Sequence, residues 1–254
     1  MYADVCYQKS FLKQVIARID FATPISQLEK AVPTKLLNAI VKNFPIVEPA
    51  DMLMQEVALE GNSIKHSQTA TKHWNYYSKD RERQLTLAPQ HVFVVYTTYK
   101  KYEEIRDQFS AVIDALAKAF PETKSARFGL RYVNQIDLAI DDPTNWDQYV
   151  DKDLLSPRKF FGEEDPITRL ITVVELKYDD MAVVFQFGMP NPDHPAQIRR
   201  PLFVLDLDAS ILQAHDLTEA IGYMDEGHSK IQEVFERSIT EKLREKMNVK
   251  PIQQ

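Results

Sequence analysis

Apolar residues recur at every second position in several short runs of this chain, and at every third or fourth position in a few longer ones. Period two marks a strand with one buried face, and a period near 3.6 marks a helix with one buried stripe. Residues 11–21 alternate Phe11, Val15, Ala17, Ile19 and Phe21 against Gln14, Arg18 and Asp20, and Thr23-Pro24 ends that strand. Ser26 is a candidate cap for a helix carrying Leu28, Val32, Leu36, Leu37, Ile40 and Val41, with Pro33 opening its second segment. Strands are expected over 51–60, 73–78, 84–87 and 91–99, with a polar turn at 80–83. The clearest amphipathic helix spans 101–120, with Tyr102, Ile105, Phe109, Val112, Ile113, Leu116 and Phe120 on one stripe. A long strand follows over 126–140.

The polar run Asp141-Asp142-Pro143-Thr144-Asn145 breaks the pattern. Beyond it come a short helix and loop (146–161), a hairpin pairing 167–178 with 181–188, and a proline-rich excursion at 189–195. A strand at 201–208 and a closing helix from about 218 to 247 complete the order. Strands followed by a long helix occur twice, which predicts an α+β fold of two similar antiparallel-sheet-plus-helix halves, 1–140 and 146–254, packed as one unit. Sequence self-similarity between the halves is poor, so an internal duplication rests on element order alone.

The 126–140 strand is the most distinctive segment. One face holds Phe128, Leu130, Tyr132, Asn134, Ile136, Leu138 and Ile140, and the other Arg127, Gly129, Arg131, Val133, Gln135 and Asp137. Asn134 is the polar exception on an apolar face, and a buried amide must be hydrogen-bonded. It either ties down a neighbouring loop or bulge, or joins Tyr132 on the wall of a pocket. Arg127 and Arg131 either pair with acids of an adjacent strand or form an anion-binding patch. These four residues, Arg127, Arg131, Tyr132 and Asn134, are the candidate ligand-binding set.

The Arg131-Tyr132-Val133-Asn134-x-Ile136 core also carries a resemblance, together with the opening strand at 11–21, His73-Trp74-Asn75-Tyr76-Tyr77, Val92–Tyr96 and the segment Gly227–Met247. On these blocks, which span nearly the whole chain, the sequence resembles a sporadically distributed bacterial family of about this length. That family has no established activity to carry over. The resemblance implies bacterial origin and, through sporadic distribution, a role in a mobile system such as defence or toxin neutralisation.

Composition narrows the classes. The 254 residues carry 31 basic and 37 acidic side chains, a net charge of −6, which disfavours broad nucleic-acid binding. A single cysteine, Cys6, rules out an internal disulfide and a cysteine-rich zinc site. With six glycines, the chain has no glycine-rich phosphate loop. No apolar run reaches the ~20 residues of a membrane span, and the first residues lack the order of a signal peptide, so a cytoplasmic protein is expected.

Three constellations could carry chemistry. Asp165 followed by Glu175-Leu176-Lys177 has the order of metal-dependent nucleases, in which carboxylates hold a cation and a lysine steadies the attacking water. Asp206 and Asp208 share one side of a strand and could bind a hard cation, or pair with Arg199 and Arg200 or with Arg127 and Arg131. His73 and His91 lie in neighbouring strands but lack a third metal ligand, and His228 reads as a cap-region or surface residue. Glu236 falls on the charged face expected to be solvated. The aromatics Trp74, Tyr76, Tyr77, Phe93, Tyr96, Tyr99 and Tyr102 read as core, or as a pocket or interface lining. The leading expectation is a non-enzymatic binding or interaction protein acting on a protein partner or on itself as a homodimer, with no cofactor, metal or membrane. The alternatives are a metal-dependent hydrolase or nuclease using Asp165, Glu175, Lys177, Asp206 and Asp208, and a small-ligand receptor with a pocket near Tyr132 and Asn134.

Overall fold

The computed structural model describes residues 6–60, 63–162 and 165–250. Its strands are β1 (Cys6–Tyr7), β2 (Leu12–Phe21), β3 (Ile46–Glu60), β4 (Ser63–Tyr77), β5 (Arg83–Leu87), β6 (His91–Tyr96), β7 (Lys124–Asp137), β8 (Leu170–Tyr178), β9 (Met181–Met189), β10 (Leu202–Ile211), β11 (His215–Asp216) and β12 (Val249–Lys250). The helices are α1 (Thr34–Val41), α2 (Tyr102–Ala119), α3 (Ser156–Phe160), α4 (Ala220–Ser238) and α5 (Glu241–Met247). None of the described helices is long and apolar enough to cross a membrane.

The fold is α+β. Strands β2 to β11 form one antiparallel sheet in the order β3-β4-β5-β6-β2-β7-β10-β9-β8, with β11 also on β7. The first strand of the expected N-terminal half, β2, pairs with β7, and β7 pairs in turn with β10 from beyond the 141–145 breaker. The sheet is therefore continuous across that breaker. Outward from the centre, β2 is followed by β6, β5 and β4, and β7 by β10, β9 and β8.

Alternation along each strand sends one set of side chains to the helices. Val15, Ala17 and Ile19 of β2, Val92 and Val94 of β6, Phe128 and Leu130 of β7, and Phe203, Leu205 and Leu207 of β10 are sealed on this face. The stripe of α2 (Ile105, Phe109, Val112, Ile113, Leu116) and that of α4 (Met224, Ile231, Val234) supply the facing layer. Helix α4 lies on β7, β9 and β10. Gly227 permits its close approach, because a Cβ there would come within 3.3 Å of the Ala209 Cβ and 3.8 Å of Leu130.

Several boundaries differ from expectation. Strand β3 begins at Ile46 and runs through Pro49, which an edge strand tolerates because one side of its backbone has no ladder to complete. Strand β4 begins at Ser63, ten residues before the expected start, in a segment rich in Ser, Thr, Gln and Lys that shows no alternation. The closing helix is two, because Ile239 is extended and Thr240 caps α5 by accepting from the Leu243 N–H. Ser26 opens only a 3₁₀ turn, Ser26–Glu29, with no side-chain cap, and α1 starts after Pro33.

Candidate functional site

The face of the sheet opposite α2 and α4 has no described helix on it. Its central strands carry Arg18 and Asp20 on β2, Arg127 and Arg131 on β7, and Asp206 and Asp208 on β10. Period-two spacing puts each pair on one face, and the register lays the three pairs side by side. The six charges form an alternating ladder. Arg18 donates from Nε and Nη2 to Asp20 Oδ1 at 2.8 and 2.5 Å. Arg127 lies 3.7 Å from Asp20 and 3.6 Å from Asp208. Arg131 donates from Nε and Nη2 to the two oxygens of Asp206 at 2.8 and 2.5 Å, a bidentate pair.

Gly129 sits between the two arginines of β7. The Arg127 guanidinium lies over it, so that a Cβ would meet its nitrogens at 2.9 and 3.0 Å. Burial pushes the Asp208 carboxyl above the ordinary carboxylate range, and the nearby Arg127 and Arg131 oppose that rise. The hydrogen bonds that Arg131 donates to Asp206 raise its guanidinium, against the opposing effect of burial. Arg127 and Arg131 are thus paired with acids of the neighbouring strands, and Asp206 and Asp208 take these partners rather than Arg199 and Arg200.

Partly buried apolar side chains surround the ladder: Ile16, Phe93, Val95, Val133, Val184 and Val204. At one margin the rings of His73 and His91 meet edge to face at 5.2 Å. Burial, aided by Arg18 and His73, lowers the His91 imidazole to about 4. Burial, then Arg18, also lowers His73.

Glu175 and Lys177 lie on this same face but on the outermost strand. Glu175 faces Val184 on β9, and Val184 faces Asp208 on β10. Two strand spacings therefore part Glu175 from Asp208, about 10 Å. Lys177 Nζ donates to the Asp180 carbonyl, and the Asp165 carboxylate accepts from the Gly162 N–H in the loop before β8. The five residues of the hydrolase alternative are not brought into one cluster, and among the described residues no three metal-binding side chains converge.

Tyr132 and Asn134 lie on the helix-covered face, away from the two arginines. Asn134 Nδ2 donates to the Leu205 carbonyl of β10 at 3.2 Å, and β2 bulges opposite it between Leu12 and Gln14. Both residues also line a cavity of about 60 Å³ beneath α4, with Tyr7, His228, Gln232 and Glu236. Small-molecule sites run to about 300 Å³ or more, so this one has room for water or a ligand of a few atoms. A larger hollow, about 480 Å³, adjoins Asp142, Trp146, Arg158 and Phe161, but its cations are engaged: Lys159 with Asp147, and Arg158 with the Phe161 and Gly162 carbonyls.

The cavity is bordered by polar side chains that sequence reasoning missed. His228 lies within α4, not at a helix start. Its Nδ1 is 3.0 Å from the Tyr132 hydroxyl, and its ring stacks on Tyr102 at 3.8 Å. The Tyr102 hydroxyl donates to Asp225 at 2.7 Å, and Arg106 grips the same carboxylate from Nε and Nη2 at 2.6 and 2.9 Å. The Arg106 hydrogen bonds hold the Asp225 carboxyl below its ordinary range, while burial and the bond to Asp225 raise the Tyr102 hydroxyl. Glu236, expected to be solvated, is 3% exposed and accepts from Arg244 Nε and the Tyr7 hydroxyl. Burial, then the bond to Glu236, raises the Tyr7 hydroxyl. The local signal is weak: in sequence Glu236 looks like its charged neighbours on α4, and what sets it apart is that Tyr7 and Arg244 close on its carboxylate.

No family model and no curated protein matches the chain.

Proposed function

We propose that the protein is a non-enzymatic binding protein that docks a protein partner on the open face of its sheet. The observation that carries this reading is the make-up of that face, where partly buried Ile16, Phe93, Val95, Val133, Val184 and Val204 surround three arginines and three aspartates already paired with one another. A face meant only for water would alternate polar residues outward. Apolar area supplies the drive for association, and arginine is enriched in interfaces because its planar group packs and bonds at once. The internal pairing lets those charges enter an interface without leaving an unpaired ion behind. It also leaves no surplus positive charge for phosphate, and the chain as a whole is acidic at −6.

The resemblance to a sporadically distributed bacterial family extends the proposal. The protein would act in an accessory system of the bacterial cytoplasm, of the defence or toxin-neutralising kind, with the partner supplying the chemistry. The test is capture of the tagged protein from its host, with native mass spectrometry of the eluate. A stoichiometric partner that is lost in Val133→Glu, in a variant that still folds, is the expected outcome. A catalytic turnover traced to single substitutions in this chain would overturn the reading.

One observation favours a second reading, a small-ligand receptor: Tyr132 and Asn134 do line a cavity between the sheet and α4. Its size limits the ligand to a few heavy atoms, and native mass in excess of the denatured mass would reveal one.

A further inference from the structure

Strand β8 ends the sheet, with β9 on one side only. Its nine residues, Leu170–Tyr178, contain no proline or glycine, and its pairing with β9 runs without a bulge. Of the nine large apolar side chains exposed among the described residues, Ile171, Val173 and Val174 lie on this strand, and Phe160 and Phe161 lie shortly before it. The other edge strand, β3, also exposes Val47, Met52 and Leu53, but it carries guards among them: Pro49, with Glu48 just before it and Asp51 two residues on, which pair with Arg81 and Lys72. Proteins blunt free edges with proline, bulges and charge, and an unblunted apolar edge is a template for another strand.

We infer that the strand completing this edge is β8 of a second copy, antiparallel about a two-fold axis through Val174. Residues that face one another across such a pair share a sheet face, so odd numbers meet odd and even meet even. Centred on Val174, all nine residues pair. Lys177 then meets Ile171 of the partner subunit, Glu175 meets Val173 of the partner subunit, and no like charges oppose. Centred one residue later, Glu175 faces Glu175 of the partner subunit. Centred one residue earlier, Lys177 faces Arg169 of the partner subunit. Directly opposed like charges are destabilising, so both neighbouring registers are disfavoured. Centring on Leu176 sets Glu175 opposite Lys177 of the partner subunit, but it pairs only residues 174–178 and leaves Ile171 and Val173 uncovered.

The arrangement is isologous and closes at two copies. It keeps both open faces on the same side of a continuous sheet, and it does not rest on what docks there. The test uses the full chain with Cys6→Ser, so that an added cysteine is the sole thiol. Native mass spectrometry is expected to show a doubled mass, and Val174→Cys to form a disulfide-linked dimer on mild oxidation. Val174→Lys, which sets two lysines on the axis, is expected to give a folded monomer with the circular dichroism spectrum of the wild type, a melting temperature that no longer depends on protein concentration, and unchanged partner capture. A wild-type monomer throughout the concentration range of light scattering would overturn the inference. So would a dimer that survives Val174→Lys, or one that cross-links through Leu176→Cys and not Val174→Cys.

Discussion

On β2, Val15, Ala17 and Ile19 are sealed beneath helices, while Gln14, Ile16, Arg18 and Asp20, one position out of step, are only partly buried. The same contrast runs along β6, and along β7 and β10 except at Gly129, Asp206 and Ser210, which are buried on the open side. Both faces hold charged groups, and they hold them differently. On the helix side, Glu236 is a single buried carboxylate fixed by Arg244 and Tyr7. On the open side, charge is spread over six residues in a ladder whose arginines remain in contact with water. The difference separates a face that holds the fold from one that can be changed without losing it.

The largest expected effect lies on the covered face. Phe128→Ala, at a site with 0% exposure, should lower unfolding free energy by about 3–5 kcal/mol, measured by urea denaturation. Phe93→Ala on the open face should cost less, about 1–2 kcal/mol, because that ring is only partly buried. Equal losses would mean that the open face is core.

The charged groups sharpen the contrast at the next level. Glu236→Ala removes the carboxylate that Arg244 Nε and the Tyr7 hydroxyl donate to, while Arg244 keeps the backbone carbonyl of residue 236 and Glu241, and should cost about 2–3 kcal/mol. Asp206→Ala should cost about 1–2 kcal/mol, since the released Arg131 can turn to water. Asp208→Asn should cost less again, because burial already holds that carboxyl above its ordinary range.

Acid gives a smaller effect with a defined sign. His91 is lowered from 6.5 to about 4 in the folded protein. Between those values the unfolded chain binds a proton that the folded chain refuses, so stability from this residue falls as pH drops from 6.5 toward 4. His91→Gln should flatten the dependence of melting temperature on pH across that window. Asp208, raised rather than lowered, acts in the opposite sense at the acid end, so the comparison of wild type with His91→Gln isolates the histidine.

The parts of this architecture visible in the sequence are those with unbroken periodicity. Strands β2 and β7 and helix α2 were legible to within a residue or a few, because each buries one face along its whole length. The early halves of β3 and β4 were not, because strands near an edge bear little packing and their sequence need not alternate. The break at Ile239 was masked by an apolar stripe that continues through it, although Thr240 carried the cap. The open-face ladder was partly legible: Arg127 and Arg131, four apart, and Asp206 and Asp208, two apart, each share a strand face and invite pairing, and Arg18 with Asp20 is likewise two apart. The grouping of Tyr132 with His228 was not, since 96 residues separate them and only the docking of α4 brings them together. Tyr7 and Glu236, 229 residues apart, are hidden for the same reason.

The most direct test of the central claim is a hydroxyl-radical footprint of the captured complex, read residue by residue on both faces of the sheet. The account predicts that Phe93, Val95, Val133 and Val204 lose reactivity when the partner binds, while the exposed Phe160 on α3 does not. Protection confined to α2, α4 or the loop around Phe160, with the open face as reactive as in the free protein, would contradict it.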